Sequence, residues 1–253
     1  MNARQAEILD RLKRHGEVSV RALARRFAVT AMTIRRDLDG LDAEGRLVRT
    51  HGGAIRSRAG IVEFAIAEKS RRRAAEKRAI GRAVAAMLRP GATLLLDTGT
   101  TTLEVARALA ATEGLTVLTT SLAIAAALYP CENIDLVLLG GTMRKNSPDL
   151  SGFLTEENLR RFQVHWAVLG ADAASKAGVY TTDLAVARCC AAMLACAKRK
   201  VLALDSSKFA ARALFRYAQW RAFDAVVTDA GAPAAVKRWL RRAVPEFHFV
   251  PAR

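Results

Sequence analysis

The stretch Thr30 to Leu41, TAMTIRRDLDGL, constrains this chain more than any other. Ile34, Leu38 and Leu41 recur at i, i+4 and i+7, one apolar stripe of a helix, which leaves Met32, Thr33, Arg35 and Arg36 on the rest of its surface. Thr30 is a natural N-cap, because its hydroxyl can accept a hydrogen bond from an orphan backbone N–H of the first turn. The helix start it caps carries positive partial charge suited to a phosphate. A helix anchored along one stripe, with two arginines beside its start, expects a polyanionic partner.

The flanking residues extend this pattern. Ser19 to Phe27 reads as a second short helix with Val20, Leu23, Ala24 and Phe27 inward and Arg21 outward, joined to the first by an Ala28-Val29 turn. Two short helices and a turn, the second basic at its start, form a helix-turn-helix pattern. Gly45 stops the second helix, and Arg46 to Ala54 alternates polar and apolar residues before the Gly52-Gly53 pair, as a hairpin does. Such a wing can lay Arg49 and His51 along the sugar-phosphate backbone or the minor groove. A further helix, capped by Asn2, stripes Ile8, Leu9 and Leu12 inward and ends at Gly16. Residues 1–57 thus read as an all-α-type winged helix-turn-helix domain. Arg21, Thr30, Met32, Thr33, Arg35, Arg36, Arg49 and His51 are its expected contacts to double-stranded DNA.

The order LARRF, VT, MTIRRDL, G, L, R, HGGA resembles the DeoR family of bacterial transcriptional regulators, with Thr30 where the family usually has Ser and Ala31 where an acidic residue is common. The formal charge of +16 agrees with a nucleic-acid or anionic partner. Cys131, Cys189, Cys190 and Cys196 have neither metal-ligand nor secreted-framework spacing, which implies a reducing cytoplasm. No signal-peptide order and no run of about 18 apolar residues is present, so a membrane is not an expected partner.

From Arg58 to Arg78 the composition turns to charge and alanine, a linker that is partly helical. Residues 79–253 then alternate helix and strand. A helix through Ile80, Val84 and Leu88 ends at Pro90-Gly91. It is followed by strand-like runs at Thr93–Leu96, Leu115–Leu118, Ile134–Leu139, Trp166–Leu169, Val201–Leu204 and Ala225–Val227, with helices from Thr102, from Leu122 and over Leu184–Ala197. Short apolar runs with helical connections indicate an α/β domain with a mostly parallel sheet.

Ligands of such sheets bind outside the carboxyl ends of the strands, and every end here is small and polar. Asp97-Thr98-Gly99-Thr100-Thr101-Thr102, Thr120-Ser121, Gly141 with Arg144, Asp172, and Lys208 fall at five of these ends. Gly/Thr turns feeding helix starts offer amides and hydroxyls to a phosphate, Asp97 and Asp172 can accept sugar hydroxyls, and Arg144 and Lys208 supply countercharge. A small phosphorylated sugar or polyol is therefore the expected effector, with no cofactor. GxGxxG and Gly-Lys-Ser/Thr are both missing. His15, His165 and His248 have no ligand-spaced partners, so no metal site is expected, and Trp166, Trp220 and Trp239 read as packing.

LDTGTTT, TTSLAIA, LLGGTMR, LSG, LGAD and LDSSKF are similar, in order, to the DeoR-type sensor domain. That resemblance implies a fold like ribose-5-phosphate isomerase and glucosamine-6-phosphate deaminase, sensing of a sugar phosphate, and a homodimer or homotetramer. The chain departs from the family at Thr120, where Asn is typical, at Ala173, where Gly is usual, and at Val186 and Cys190, where a Glu and a Lys are frequent. The expected function is a non-enzymatic repressor of sugar or polyol metabolism. The alternatives are a sugar-phosphate isomerase or deaminase using Asp97 or Asp172 with Lys208, and a regulator whose second domain only oligomerises.

Overall fold

The structure, a computed structural model, describes residues 2–50, 52–56, 69–144 and 147–252. His51 and most of the expected linker lie outside the described residues. The chain divides into two compact units, one formed mainly by residues 1–69 and the other by residues 70–144 and 148–253.

In the first unit, α1 (Ala3–His15) begins at Asn2, whose side chain accepts from the Gln5 N–H while the Gln5 side chain accepts from the Asn2 N–H. This reciprocal capping box fixes the start, and Gly16 closes the helix in the left-handed region at φ 79°. A short strand β1 (Glu17–Ser19) follows; three residues are too few to show a period, and the sequence did not announce it. Next come α2 (Val20–Phe27), capped by the Ser19 hydroxyl, and α3 (Ala31–Ala43), capped by Thr30. The hairpin strands β2 (Leu47–Thr50) and β3 (Gly53–Arg56) pair antiparallel, and β1 adds to β3, giving a three-stranded sheet in the order β1-β3-β2. A Cβ on Gly53 would lie 1.9 Å from the Val18 carbonyl oxygen, so only glycine permits that approach. Ile8, Leu12, Val20, Leu23, Ile34, Leu38, Leu41, Leu47 and Ala54 form one buried core, into which the expected stripes of all three helices converge.

The second unit is organised on seven strands, all parallel, in the order β15-β14-β12-β9-β4-β5-β6. They are β4 (Thr93–Leu96), β5 (Leu115–Thr119), β6 (Ile134–Leu138), β9 (Val164–Leu169), β12 (Ala197–Ala203), β14 (Ala225–Asp229) and β15 (Glu246–Val250). A two-stranded hairpin, β7 (Thr142–Met143) and β8 (Leu150–Ser151), follows β6. β10 (Ala173–Ser175), β11 (Gly178–Thr181) and β13 (Phe215–Ala218) form a separate antiparallel sheet in the order β10-β11-β13. Side chains alternate across the seven-stranded sheet. Leu94, Leu96, Val168, Val201 and Val227 pack in one core with Ile80, Val84, Val105 and Leu109 of the helices Ala74–Ala85 and Thr100–Leu109. Leu95, Leu169, Leu202 and Val226 pack in another with Val186, Cys190 and Met193 of the helix Leu184–Ala195 and with Leu240. No helix among the described residues is long and apolar enough to cross a membrane.

Two elements differ from expectation, and the partly helical linker gains a defined helix start. β12 begins at Ala197, where a helix was expected to end, because the charged run Lys198, Arg199 and Lys200, of which only Lys198 is exposed, interrupts the apolar pattern of the strand. β15 was not anticipated, since every residue of Glu246-Phe247-His248-Phe249-Val250 is half-buried and no face stands out. The Ala74–Ala85 helix begins within the charged stretch read as a linker, with Lys77 buried and its ammonium donating to the Arg72 carbonyl.

Candidate DNA interface and effector site

Helix α3 is held from below. Ile34, Leu38 and Leu41 are fully buried, and Asp37 beside them pairs with Arg4 of α1. The opposite surface is open: Met32 is 57% exposed, and Arg35 and Arg36 are exposed with no hydrogen bond or ion pair among the described residues. The Thr30 hydroxyl accepts from the Thr33 N–H at 3.2 Å and lies 2.9 Å from the Thr33 hydroxyl, so both threonines serve the cap. Arg21 is exposed on the first turn of α2.

Arg49 is engaged rather than free. Its guanidinium donates to Asp39 of α3 at 2.9 Å and to the Gly53 carbonyl at 2.6 Å, which ties the wing strand to the helix beside it. Sequence reading missed this tie, because Asp39 lies ten residues away and looks like any solvated charge. His51 lies outside the described residues.

In the second unit the strand order reverses beside β4. From β4 the chain proceeds to β5 and β6 on one side, then returns to place β9, β12, β14 and β15 on the other. The crevice outside the carboxyl ends of β4 and β9 is therefore the topological switch point, where open parallel sheets bind ligands. Asp97, first residue after β4, spans it. Its Oδ2 accepts from the Gly170 N–H after β9 at 3.1 Å, and its Oδ1 from the Thr98 N–H at 2.7 Å. Burial pushes this carboxyl up to about 7, against the pull of those two backbone donors, and Asp149 and Asp172 push it further. The Cys190 thiol is within hydrogen-bonding reach of it, and the Tyr217 hydroxyl donates to the Gly170 carbonyl behind. Burial raises both the Cys190 and Tyr217 groups well above their ordinary values, so both stay neutral.

The other expected ligand residues gather around Asp97 in part. Gly99 precedes the Thr100–Leu109 helix, and its carbonyl accepts from the Leu103 N–H and the Thr102 hydroxyl. Thr100 is half-buried, Thr101 buried, and Thr102 sealed. After β5, the Thr120 carbonyl accepts from the Leu150 N–H, and Ser121 caps the Leu122–Leu128 helix. These contacts dock the β7–β8 hairpin on the end of β5. Gly141 permits the docking, since a Cβ there would lie 1.9 Å from the Thr155 hydroxyl oxygen. Asp172 accepts from the Thr181 hydroxyl and from both the N–H and the hydroxyl of Thr182.

Two positive groups differ from expectation. Arg144 forms a two-pronged pair with buried Asp149 at 2.5 Å and lies 3.6 Å from Asp183, so it is committed to carboxylates of the protein instead of standing as open countercharge. Lys208 sits on the 3₁₀ turn Ser206–Phe209 after β12, separated from β4 by β9 in the sheet. Asp149, Ser151 and Asp183 join the site without having been singled out. They fall at a hairpin and a helix cap whose partners only the fold brings near. Val186 and Cys190 are core residues, and only Cys190 reaches the site, through Asp97.

Residues 4–58 match the DeoR-like helix-turn-helix domain, and residues 72–230 match the DeoR C terminal sensor domain. A protein of Escherichia coli O157:H7 named provisionally as the aga operon transcriptional repressor is 33% identical, over 95% of this chain and 90% of its own. The glycerol-3-phosphate regulon repressor of Escherichia coli K12 is 31% identical, over 92% of each chain. Among solved structures, ribose 5 phosphate isomerase A from Neisseria gonorrhoeae shares 15% identity and a TM-score of 0.39, over 54% of this chain and 53% of that one.

Proposed function

This chain belongs to the DeoR family, and from that premise we propose that it is a sequence-specific DNA-binding repressor of an operon for sugar or polyol metabolism, whose operator affinity changes when a phosphorylated sugar or polyol binds. The observation that carries the DNA-binding half is α3, buried along Ile34, Leu38 and Leu41 and presenting unpaired Arg35 and Arg36 beside a capped start. Arg35, Arg36 and Met32 face base edges or phosphates in the major groove. Arg21, Thr30 and Thr33 serve the backbone, and the wing carries Arg49 and His51 to the neighbouring groove. A dimer or tetramer places two such heads on paired half-sites.

Asp97, Gly99 to Thr102, Thr120, Ser121, Gly141, Arg144 and Asp172 form the effector site at the switch point, with Lys208 at its margin. The glycerol-3-phosphate relative supports a phosphorylated ligand. The mechanism is linkage: ligand binds one arrangement of the sensor domains better than another, and that difference shifts operator affinity. We assign these residues binding roles and no catalytic step.

The test is DNA binding by Arg35→Ala and Arg36→Ala. Each is expected to cost at least about 1 kcal/mol, with lost sequence preference where the residue reads a guanine and uniform weakening where it grips phosphate. Unchanged binding in both variants would remove α3 from the interface.

A further inference from the structure

We infer that the amino edge of the seven-stranded sheet, over β9, β12, β14 and β15, is a second DNA-contacting surface, which grips duplex phosphates without reading sequence. The inference rests on the DNA-binding reading above and adds to it a surface that belongs to the second unit.

The first observation is where the charge lies. Most of the excess of Lys and Arg over Asp and Glu belongs to the second unit, not to the head. All seven strands are parallel, so their starts share one edge, opposite the carboxyl ends that hold Asp97. Arg161 leads into β9, Lys198 and Lys200 open β12, Arg221 precedes β14, and Arg241 and Arg242 end the Ala234–Ala243 helix before β15. All but the half-buried Lys200 are exposed. At the far end of the same edge the sign reverses: Glu113 and Glu132 lead into β5 and β6, and Asp135 lies on β6. Helix C-termini fall along the whole edge, so cations that only offset helix dipoles would not collect at one end of it.

The second observation is that the protein does not neutralise these cations. Among the described residues none of the six has an ion pair. The carboxylates nearby are already engaged: Asp224 accepts from the Lys200 backbone N–H, and Glu246 pairs with Arg199 and His248. A polyanion relieves the repulsion that remains.

The shape and chemistry of the edge select a duplex. Four adjacent strands at about 4.8 Å spacing span about 15 Å, a length over which duplex DNA carries roughly nine phosphate charges. The rings at this end lie under cations, with Arg199 over Trp166, Lys237 over Phe249 and Arg241 over Phe247, so they are not presented for stacking the bases of a single strand. The exposed Phe153, Leu154 and Leu184 begin helices at the opposite edge of the sheet, so the basic edge lacks the apolar side chains that insert into a lipid surface.

The test is binding of the full chain to a random-sequence duplex over a range of salt concentrations. The triple variant Lys198→Gln, Arg221→Gln, Arg242→Gln removes exposed charges. Each lost phosphate contact lowers the slope of log affinity against log salt by about 0.9, so the triple variant is expected to lower it by about 2–3 and to weaken binding at least about tenfold at moderate salt. Lys176→Gln, Arg212→Gln, Arg216→Gln makes the same change in net charge away from the edge and should lower the slope by less than about 1. The charge-keeping variant Lys198→Arg, Arg221→Lys, Arg242→Lys should bind like the parent. If the first triple variant does not fold, Arg242→Gln alone should lower the slope by about 0.9, and an unchanged slope overturns the inference. Equal slopes in the two Gln triples overturn this inference alone. Unchanged duplex binding with loss of binding to an RNA hairpin or to polyglutamate overturns it in favour of RNA or of an acidic protein. A parent that binds no duplex at any salt overturns the DNA-binding reading and this inference with it.

Discussion

Replacing Leu38 by Ala tests whether α3 is held as described. Leu38 is fully buried in the core it shares with Ile8, Leu12, Leu23, Ile34, Leu41 and Leu47. Truncating such a leucine forfeits its transfer free energy and leaves a cavity, together about 3–5 kcal/mol. A head of roughly 60 residues is stable by about 3–9 kcal/mol, at ~0.05–0.15 kcal/mol per residue, so the loss is comparable with the whole. In a unit of that size each kcal/mol moves the midpoint by about 4–8 °C, so the head is expected to melt at least about 12 °C lower, or to be unfolded at the outset. The second unit has its own cores and keeps its transition. Calorimetry should therefore show one transition moving and one standing still, with DNA binding lost at temperatures where the sensor unit is intact. Met32→Ala is the matched control, since Met32 is exposed, and it should leave both transitions in place while weakening DNA binding. A Leu38→Ala protein that melts like the parent, or whose two transitions fall together, would refute the packing argument.

The remaining predictions concern charge and backbone contact. Asp97 has a folded pKa of about 7 against a reference of 3.8, so its stabilising protonation is fully present below the unfolded value and is lost as pH rises through about 7. The difference in stability between the parent and Asp97→Asn should accordingly change by a few kcal/mol between acid and neutral pH, the parent losing ground as pH rises; a pH-independent difference in urea midpoints would contradict this. Gly141→Ala drives a methyl into the Thr155 hydroxyl and should undock the hairpin, weakening effector binding. Thr155→Ala in the same chain should restore part of the loss, and no rescue would show that the clash is not the cause. Operator affinity should fall steeply with salt as phosphate contacts release counterions, and a flat salt response would argue against a phosphate-gripping head.

What the sequence made legible follows its periodicities. The stripes at Ile8/Leu12, Val20/Leu23 and Ile34/Leu38/Leu41 each have one wet and one dry side, and each lies in the head core. The runs at Thr93–Leu96, Leu115–Leu118 and Ala225–Val227 are dry on both faces and fell within strands of the parallel sheet. The strand ends carried the Asp97 group because parallel strands share one carboxyl edge. What stayed hidden depends on contacts between distant residues. Nothing local in RKNSPDLSG marks Asp149 as the partner that holds the Arg144 guanidinium, or Ser151 as a buried residue of the hairpin. Arg49 read as a free wing charge until Asp39 stood beside it. Local patterns identified the elements; the charge balance of the site needed the fold.

The measurement that tests the central claim most directly is equilibrium binding of the full chain to labelled DNA from upstream of its own and neighbouring genes, against random DNA of equal length. It is made at one fixed salt concentration, with and without a panel of sugar, amino-sugar and polyol phosphates. The account predicts tight binding to one upstream sequence, weak binding to random DNA, and one phosphorylated compound that changes the first while leaving the second alone. Equal affinity for upstream and random DNA under every condition would contradict it.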